Sequence, residues 1–388
     1  MDESNVSGPA GASKNGHGLV WIVVILLVIL GAFYTFSRTG DNSPTPTTGE
    51  PIKIGVSVGL TGSAAFIGES YYAGLKVAQQ EINDAGGIDG QLIEFDVQDN
   101  KNLAQDGLSA FRALELKRPD LIIQTMSAAA VPVAPVAKQS GIPLFVSMVF
   151  ADVLSTNDNA VSFFPKPSDD AQATIADLKS SGVKKVGIAW VNTEYGKASL
   201  DAFTAEAAKA GISIIASESF LSDTKDYATP VLKVTNTNPE AIYLIALNSI
   251  PLIDQIKLKT NHPTIYTNLI PLFGSLIYKN PQTFEGVHLT APLVSIPGTP
   301  EYQSFRQKMT GIIDLDKNTF GYTSIAYDNL YAIAATLKKD PSSQNFVQTF
   351  TSLDEFKGVN GTFNLTRRDV GMKIYPVVFK NGLIEEVK

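Results

Sequence analysis

Residues 52–100 read IKIGVSVGLTGSAAFIGESYYAGLKVAQQEINDAGGIDGQLIEFDVQDN, and this stretch decides the fold. The apolar, β-branched run at residues 52–59 predicts a buried strand. The amphipathic run at residues 71–82 predicts a helix, which the glycines of NDAGGIDG (residues 83–90) end in a tight turn. A second apolar run at residues 92–97 predicts the next strand. Together these elements predict one right-handed βαβ unit of a parallel sheet.

The loop LTGSAAFIG at residues 60–68 is the first candidate binding site, because open parallel sheets bind ligands at the carboxyl ends of their strands. This loop, the strand before it and the segment INDAGGIDG (residues 82–90) resemble the start of the type I periplasmic solute-binding proteins. The likeness is strongest to the leucine/isoleucine/valine-binding receptors of ABC transporters. The same order of elements continues to the C-terminus, so the resemblance covers residues 52–388.

The resemblance implies an α/β fold of two Rossmann-like lobes joined by three crossovers. Lobe 1 is expected to combine residues 52–164 with 293–371, and lobe 2 to combine residues 165–292 with 372–388. Strand and helix patterns alternate twice along the chain, once in each expected lobe. The segment FKGVNGTF at residues 356–363 matches a late signature of the same family.

Length and composition agree with such a protein. A chain of 388 residues suggests two domains, and 44% hydrophobic with 18% charged residues is typical of globular proteins. The formal net charge is −7 and no cluster of Lys and Arg is present, so nucleic acid is not an expected partner. The absence of cysteine excludes disulfides, thiolate catalysis and thiolate metal sites.

The N-terminal segment predicts a membrane anchor. Residues 1–18 are polar and are predicted to be disordered. Residues 19–36, LVWIVVILLVILGAFYTF, carry no charge, and as a helix they would span about 27 Å, close to the hydrocarbon thickness of a bilayer. We favour an uncleaved transmembrane helix, with a cleaved signal peptide as the alternative. Residues 37–51, rich in Pro, Thr, Ser and Gly, are expected to form an extended linker.

Motifs of enzymatic chemistry are absent from the sequence. It contains no G-x-S-x-G, no P-loop, no G-x-G-x-x-G and no H-E-x-x-H segment. Its three histidines are far apart, so no metal and no cofactor are expected. Asp99 and Asp226 could be a pair of catalytic acids, but the family resemblance implies that they cap a loop and a helix. We therefore expect a protein that is not an enzyme.

The resemblance implies a ligand held between two lobes that close about a hinge. The residues expected to bind it follow predicted strand ends, and they are Phe66, Ile67, Ser127, Ala128, Val149 and Phe150 in lobe 1 and Tyr195, Asn248 and Leu269 in lobe 2. For the three aromatic residues of this set, ordinary packing is the alternative interpretation.

Three positions depart from the amino-acid-binding members of the family. Those members place hydroxyl groups near Ala128 and Ala151 and an acidic residue near Leu269, and here all three positions are apolar. An uncompensated buried charge is costly, so a site with these three apolar positions does not favour a zwitterionic ligand. Three features remain that could hold a carboxylate or amide: Ser127, Asn248, and the main-chain N–H groups at the predicted helix start at Ala128 and Ala129. The sequence thus predicts a ligand less polar than a free amino acid, such as an aromatic or aliphatic carboxylate or amide.

The functional prediction is a membrane-anchored, extracytoplasmic receptor, in the periplasm or on the cell surface, that delivers a small ligand to an ABC permease. The uncleaved anchor leaves a second hypothesis open, because a freely diffusing receptor would not need one. In that hypothesis the same fold serves as a ligand-sensing or regulatory module, such as an amide sensor or an activator of a cell-wall synthase.

Overall fold

The computed structural model describes residues 49–62, 65–150, 152–259, 262–273, 276–311 and 320–387. The predicted disordered segment, the predicted anchor and nearly all of the linker lie outside these residues. Within them, no helix has both the length and the apolar character required to cross a bilayer.

The described chain alternates strands and helices from its start. The elements up to the first crossover are β1 (Ile52–Val58), α1 (Ala65–Asp84), β2 (Ile93–Asp99), α2 (Ala104–Glu115), β3 (Leu121–Thr125), α3 (Ser127–Ser140), β4 (Leu144–Ser147) and β5 (Ala160–Phe163). The next are α4 (Pro167–Ser180), β6 (Lys185–Val191), α5 (Glu194–Ala210), β7 (Ser213–Phe220), α6 (Ala228–Thr235), β8 (Ala241–Ile245), α7 (Ile250–Lys257), β9 (Thr264–Thr267), α8 (Ile270–Phe273), α9 (Leu276–Lys279), α10 (Pro281–Phe284) and β10 (His288–Ala291).

The last part returns to the first half before it ends in the second. It contains a 3-10 turn (Leu293–Ser295), α11 (Pro300–Met309), α12 (Phe320–Lys339), a second 3-10 turn (Ser343–Asn345), α13 (Phe346–Thr351), β11 (Glu355–Gly358), β12 (Gly361–Asn364), β13 (Asp369–Val370), β14 (Tyr375–Lys380) and β15 (Leu383–Glu386). β11 and β12 pair only with each other among the described strands.

Two sheets form the framework. The first has the order β13-β5-β4-β3-β1-β2, with all of its pairs parallel, and we call it and its helices lobe 1. The second, lobe 2, has the order β15-β14-β10-β9-β8-β6-β7, with antiparallel pairs only at β14 and β15. The predicted βαβ unit is confirmed, because β1 lies parallel to β2 with Ile52 opposite Ile93.

The chain passes between the sheets three times, after β5, after β10 and after β13. The lobe boundaries expected after residues 164, 292 and 371 fall within or beside these crossovers, and they remain predictions.

Some predicted elements need correction. Helix α1 begins at Ala65, so Phe66 and Ile67 are helical rather than part of the predicted loop. Helix α7 was missed because it is short and follows its strand almost directly. In α1 the early start depends on Gly68, since a Cβ atom there would overlap the main-chain oxygen of Gly59. Gly196 in the first turn of α5 has the same relation to the oxygen of Val191.

Asp169 joins the first and third crossovers. Its Oδ2 accepts hydrogen bonds from the main-chain N–H groups of Lys166 and Met372, each at 2.8 Å. Burial raises the pKa of Asp169, and a side chain at Gly371 would collide with its carboxylate. Lys166 adds a second tie, because its ammonium group pairs with Asp369. These contacts restrict the relative positions of two of the three connections.

The late signature FKGVNGTF folds around a buried carboxylate. Asp328 of α12 accepts hydrogen bonds from the main-chain N–H groups of Val359 (2.7 Å) and Asn360 (3.0 Å) and from the side-chain amide of Asn360 (2.8 Å). A Cβ atom on Gly358 would collide with the same carboxylate. Burial raises the pKa of Asp328 to about 6.

The two acids interpreted as capping residues are confirmed in that role. One oxygen of Asp99 accepts hydrogen bonds from the main-chain N–H groups of Leu60 (2.8 Å) and Lys101 (2.9 Å), which fixes the loop after β1 against the loop after β2. Asp226 accepts from the N–H of Ala228 at 2.8 Å, at the start of α6.

We expect Asp328→Asn to lower the free energy of unfolding at pH 7 by about 1–3 kcal/mol, because the amide replaces one acceptor oxygen by an NH2 group that faces N–H donors without an acceptor. The folded state holds the Asp328 proton more tightly than the unfolded chain, so this group makes wild-type stability fall as the pH rises from about 4 to about 6. Urea unfolding across this range should show a shallower pH dependence in the variant. Glu355→Gln, at an exposed position, is the control. Equal pH slopes in the wild type and in Asp328→Asn would contradict the assignment of this pH dependence to Asp328.

Candidate ligand-binding cleft

A cavity of 640 Å³ lies between the lobes at the carboxyl ends of their strands. Lobe 1 lines it with Ile67, Asn102, Ala104, Met126, Ser127, Ala128, Val131, Pro132, Met148, Phe150 and Tyr322, and lobe 2 with Thr193, Glu194, Tyr195, Leu247 and Ile270. We call this cavity the cleft. Most of its walls are aliphatic or aromatic, and its few polar side chains come from loops and first helical turns. This composition is typical of sites for small organic molecules.

Two methionines shape the lobe 1 wall. Met126 and Met148 directly follow the neighbouring strands β3 and β4, and both have positive φ angles, 70° and 58°. A residue other than glycine is strained in this region, at a cost on the order of 1–3 kcal/mol. The unusual turn at Met126 lets α3 start at once, so that the first main-chain N–H groups of that helix lie beside the cleft.

Ser127 connects the two strand ends. Its Oγ accepts a hydrogen bond from the main-chain N–H of Phe150 at 2.9 Å. Ser127 is also the first residue of α3, where the N–H groups have no acceptor within the helix and the helix dipole favours negative charge. This corner of the cleft can therefore bind a carboxylate or carbonyl oxygen of a ligand.

Tyr195 forms the facing wall in lobe 2. Its hydroxyl oxygen accepts a hydrogen bond from the side-chain amide of Asn268, whose own oxygen accepts from the N–H of Ile270 at 3.1 Å. Burial raises the pKa of Tyr195 well above its usual value, so the phenol is neutral at physiological pH. Asn268 thus fixes both the Tyr195 ring and the start of α8.

An aromatic contact closes the back of the cleft. The ring of Phe150 lies 4.8 Å from that of Tyr195 in the other lobe and meets Phe164 edge to face at 5.7 Å. Both geometries are favourable for aromatic pairs. Phe150 therefore touches both lobes at the side of the cleft nearest the crossovers.

Glu194 is the one side chain lining the cleft that is charged at neutral pH, counting the residues that the structure describes. It occupies the first turn of α5, it is exposed, and neither a hydrogen bond nor an ion pair holds its carboxylate among those residues. No Lys, Arg or His of the described chain lines the same space. The cleft is thus negative at its lobe 2 rim and positive only at the start of α3.

Five of the nine residues expected from the sequence line the cleft together, namely Ile67, Ser127, Ala128, Phe150 and Tyr195. Phe66 is 42% exposed on the outer side of α1. Val149 lines a neighbouring cavity, and Leu269 lies behind the walls of the cleft. Asn248 is exposed, and its side-chain oxygen accepts from the N–H of Ile250 at 3.1 Å, at the start of α7.

Sequence reasoning missed several lining residues. Glu194 directly precedes Tyr195 in the first turn of α5, shortly after the end of β6. This position after a strand could have marked Glu194 as a candidate lining residue. Met126 and Met148 also follow strands, but nothing in their sequence marks the positive φ. Tyr322 comes from α12, far along the chain, and only the packing of α12 on α1 brings it to the cleft.

An acid does lie near Leu269, although not in a position to bind a ligand ammonium group. Asp170 of α4 is buried there, and it accepts hydrogen bonds from the hydroxyl groups of Thr290 and Tyr243, the latter at 3.0 Å. Burial raises the pKa of Asp170 to about 6. Its hydrogen-bond partners both come from lobe 2, so Asp170 connects α4 to β8 and β10.

Comparison with known proteins identifies the family. The periplasmic binding protein family matches residues 51–377, and the chain belongs to it. Among curated relatives, a Leu/Ile/Val-binding protein homologue of Brucella melitensis is 29% identical over 196 residues. That match covers 50% of this chain and 53% of the relative, so the chain spans about half the length of that protein. The resemblance to the branched-chain amino-acid-binding receptors is confirmed.

Solved structures confirm the type I periplasmic binding protein fold. A solute-binding protein of an ABC transporter from R. palustris, in complex with 4-hydroxybenzoate, superposes with a TM-score of 0.77 at 17% identity, covering 87% of this chain and 96% of that one. The branched-chain amino acid transporter substrate-binding protein LivJ of Streptococcus pneumoniae, in complex with isoleucine, gives 0.76 at 20% identity, covering 86% and 98%. At these identities the likeness concerns the fold.

We expect Tyr195→Phe to lower the free energy of unfolding by about 1–3 kcal/mol, because the buried side-chain amide of Asn268 loses its acceptor. The ring, and with it the contact to Phe150, is retained. Urea unfolding measures the change, and Tyr278→Phe, at a 42% exposed tyrosine, is the matched control. An unchanged stability in Tyr195→Phe would show that this hydrogen bond does not hold the wall in place.

Proposed function

We propose that this protein is an extracytoplasmic solute-binding receptor of an ABC transporter, of the branched-chain amino-acid-binding type. It captures a small ligand by closing its lobes and presents it to a permease. The observation that carries the proposal is the mainly apolar cleft of 640 Å³ between two lobes that are joined by crossovers. The family of the chain supports it. In this proposal residues 19–36 anchor the receptor in the membrane and residues 37–51 act as its tether.

The ligand in this proposal is small and largely apolar, with one polar head. Its carboxylate or amide oxygen binds at Ser127 and the first N–H groups of α3, and its body lies between Ile67, Phe150 and Tyr195. Isoleucine and 4-hydroxybenzoate, bound by the two structural relatives, share this plan of a carboxylate on an apolar body. Isoleucine differs in also carrying an ammonium group, and among the described residues Glu194 is the only acidic or basic side chain that lines the cleft and could meet it.

Native mass spectrometry of the purified full-length protein, released gently from detergent, tests the proposal directly. We expect a retained small molecule, and a more compact protein by small-angle scattering when that molecule is added back. A protein that carries no solute and does not change shape with any fraction of a cell extract would contradict the receptor function. Purification of the tagged protein together with permease subunits would support the transport role.

We expect Glu194→Gln to raise the affinity for 4-methylpentanoate, a carboxylate without an amino group, by about threefold to tenfold, because a like charge at the rim is removed. The same change should lower the affinity for leucine, which carries the ammonium group on the same skeleton, by a similar factor. Calorimetry on the full-length protein measures both. Glu94→Gln, at an exposed residue of β2, is the control. Equal shifts for the two ligands would show that Glu194 does not read the ligand's charge.

A further inference from the structure

A second cavity of 290 Å³ lies behind the cleft, and Phe150 lines both. This hinge cavity is bordered by lobe 1 residues that include Ser162 and Asp369, and by Lys166 and Ser168 at the start of α4. Its walls are thus partly polar, whereas those of the cleft are mainly apolar. Among the described residues, Phe150 is the only one that lines both cavities.

The surroundings hold Phe150 in place. Its main-chain N–H donates a hydrogen bond to the Oγ of Ser127 at 2.9 Å. The centroid of its ring lies 4.8 Å from that of Tyr195 and 5.7 Å from that of Phe164. Contacts from both lobes therefore keep the ring between the cavities. The contact to Tyr195 also forms part of the interface that the lobes make at the back of the cleft.

The hinge cavity, unlike the cleft, is lined by several polar and charged side chains. The Lys166 ammonium group is largely buried, with 16% of its side chain exposed, and it contacts the Asp369 carboxylate and, at 2.8 Å, the Ser162 hydroxyl. Burial lowers the pKa of Lys166. An apolar ligand tail gains little beside such a pair, whereas a hydroxyl or amide at the end of a tail can form hydrogen bonds with it.

We propose that Phe150 is the residue that limits ligand length, by separating the apolar cleft from the polar hinge cavity. The proposal rests on the proposed function, in which the cleft holds the ligand. It implies ligands with a compact apolar end that packs on the Phe150 ring. Longer molecules, and molecules with a polar tail, are excluded because they would have to displace that ring.

Straight-chain carboxylates from butanoate to decanoate, each also as its primary amide, test the length limit by calorimetry on the full-length protein. In the wild type, affinity should rise by about fourfold per added methylene and then fall sharply once the chain reaches Phe150. In Phe150→Ala the fall should move to longer chains, and in Phe150→Trp to shorter ones. Phe150→Leu, which disturbs packing less, should move it in the direction of the alanine variant.

Matched probes and controls separate this role from a purely structural one. Terminal hydroxyl groups on the longer carboxylates should improve binding to Phe150→Ala and not to the wild type, because only the variant opens the way to Lys166 and Ser162. Leu116→Ala, at an 84% exposed residue, should leave the length limit unchanged. A loss of stability alone would weaken all ligands equally, and it would not move the limit in opposite directions for Ala and Trp.

Two outcomes would overturn the inference, and they differ in what they mean. If the wild type shows a length limit that none of the Phe150 variants shifts, Phe150 is not the limiting wall, and the proposed function stands. If neither the wild type nor any variant binds a member of either series, or any other small solute, the cleft is not a ligand site. In that case the proposed function fails together with this inference.

Discussion

The geometry of the cleft depends on how the two lobes are tied to each other. Asp169 accepts hydrogen bonds from main-chain N–H groups of both the first and the third crossover. Beside it, Lys166 forms an ion pair with Asp369. A buried carboxylate loses hydration, so it is stable only where donors converge on it, and here they come from two separate crossovers. The tie therefore restricts lobe movement to modes that keep these crossovers together, as hinge closure does.

Two strained residues lie where the lobes face each other. Met126 and Met148 adopt positive φ angles at neighbouring strand ends, and the resulting turns bring the N–H groups of α3 and the ring of Phe150 to the same wall. Across the cleft, Asn268 orients Tyr195. The rest of the framework supplies the stability that keeps two strained residues in place, since local strain persists only where the surroundings enforce it.

In the proposed function, ligand selection depends on weak electrostatic interactions rather than on a buried ion pair. One wall offers the dipole of a helix start, the opposite rim offers the carboxylate of Glu194, and the surfaces between them are apolar. Closure would remove water from this space and strengthen both interactions. Asp170, by contrast, already accepts hydrogen bonds from Thr290 and Tyr243, which connect α4 to two strands of lobe 2.

Hydrophobic periodicity and glycine turns are local properties of the chain, so the alternation of strands and helices and the parallel βαβ unit at residues 52–100 could be predicted from the residues alone. The two-lobed fold was predicted from the resemblance to a known family. The sequence also determined that Ser127, Phe150 and Tyr195 follow strand ends, which in a parallel sheet is enough to bring them to one edge. Only the tertiary structure decided that Glu194 and Tyr322 join them while Asn248 and Leu269 do not. Those outcomes depend on helix starts and on packing between segments far apart in sequence, which no local pattern records.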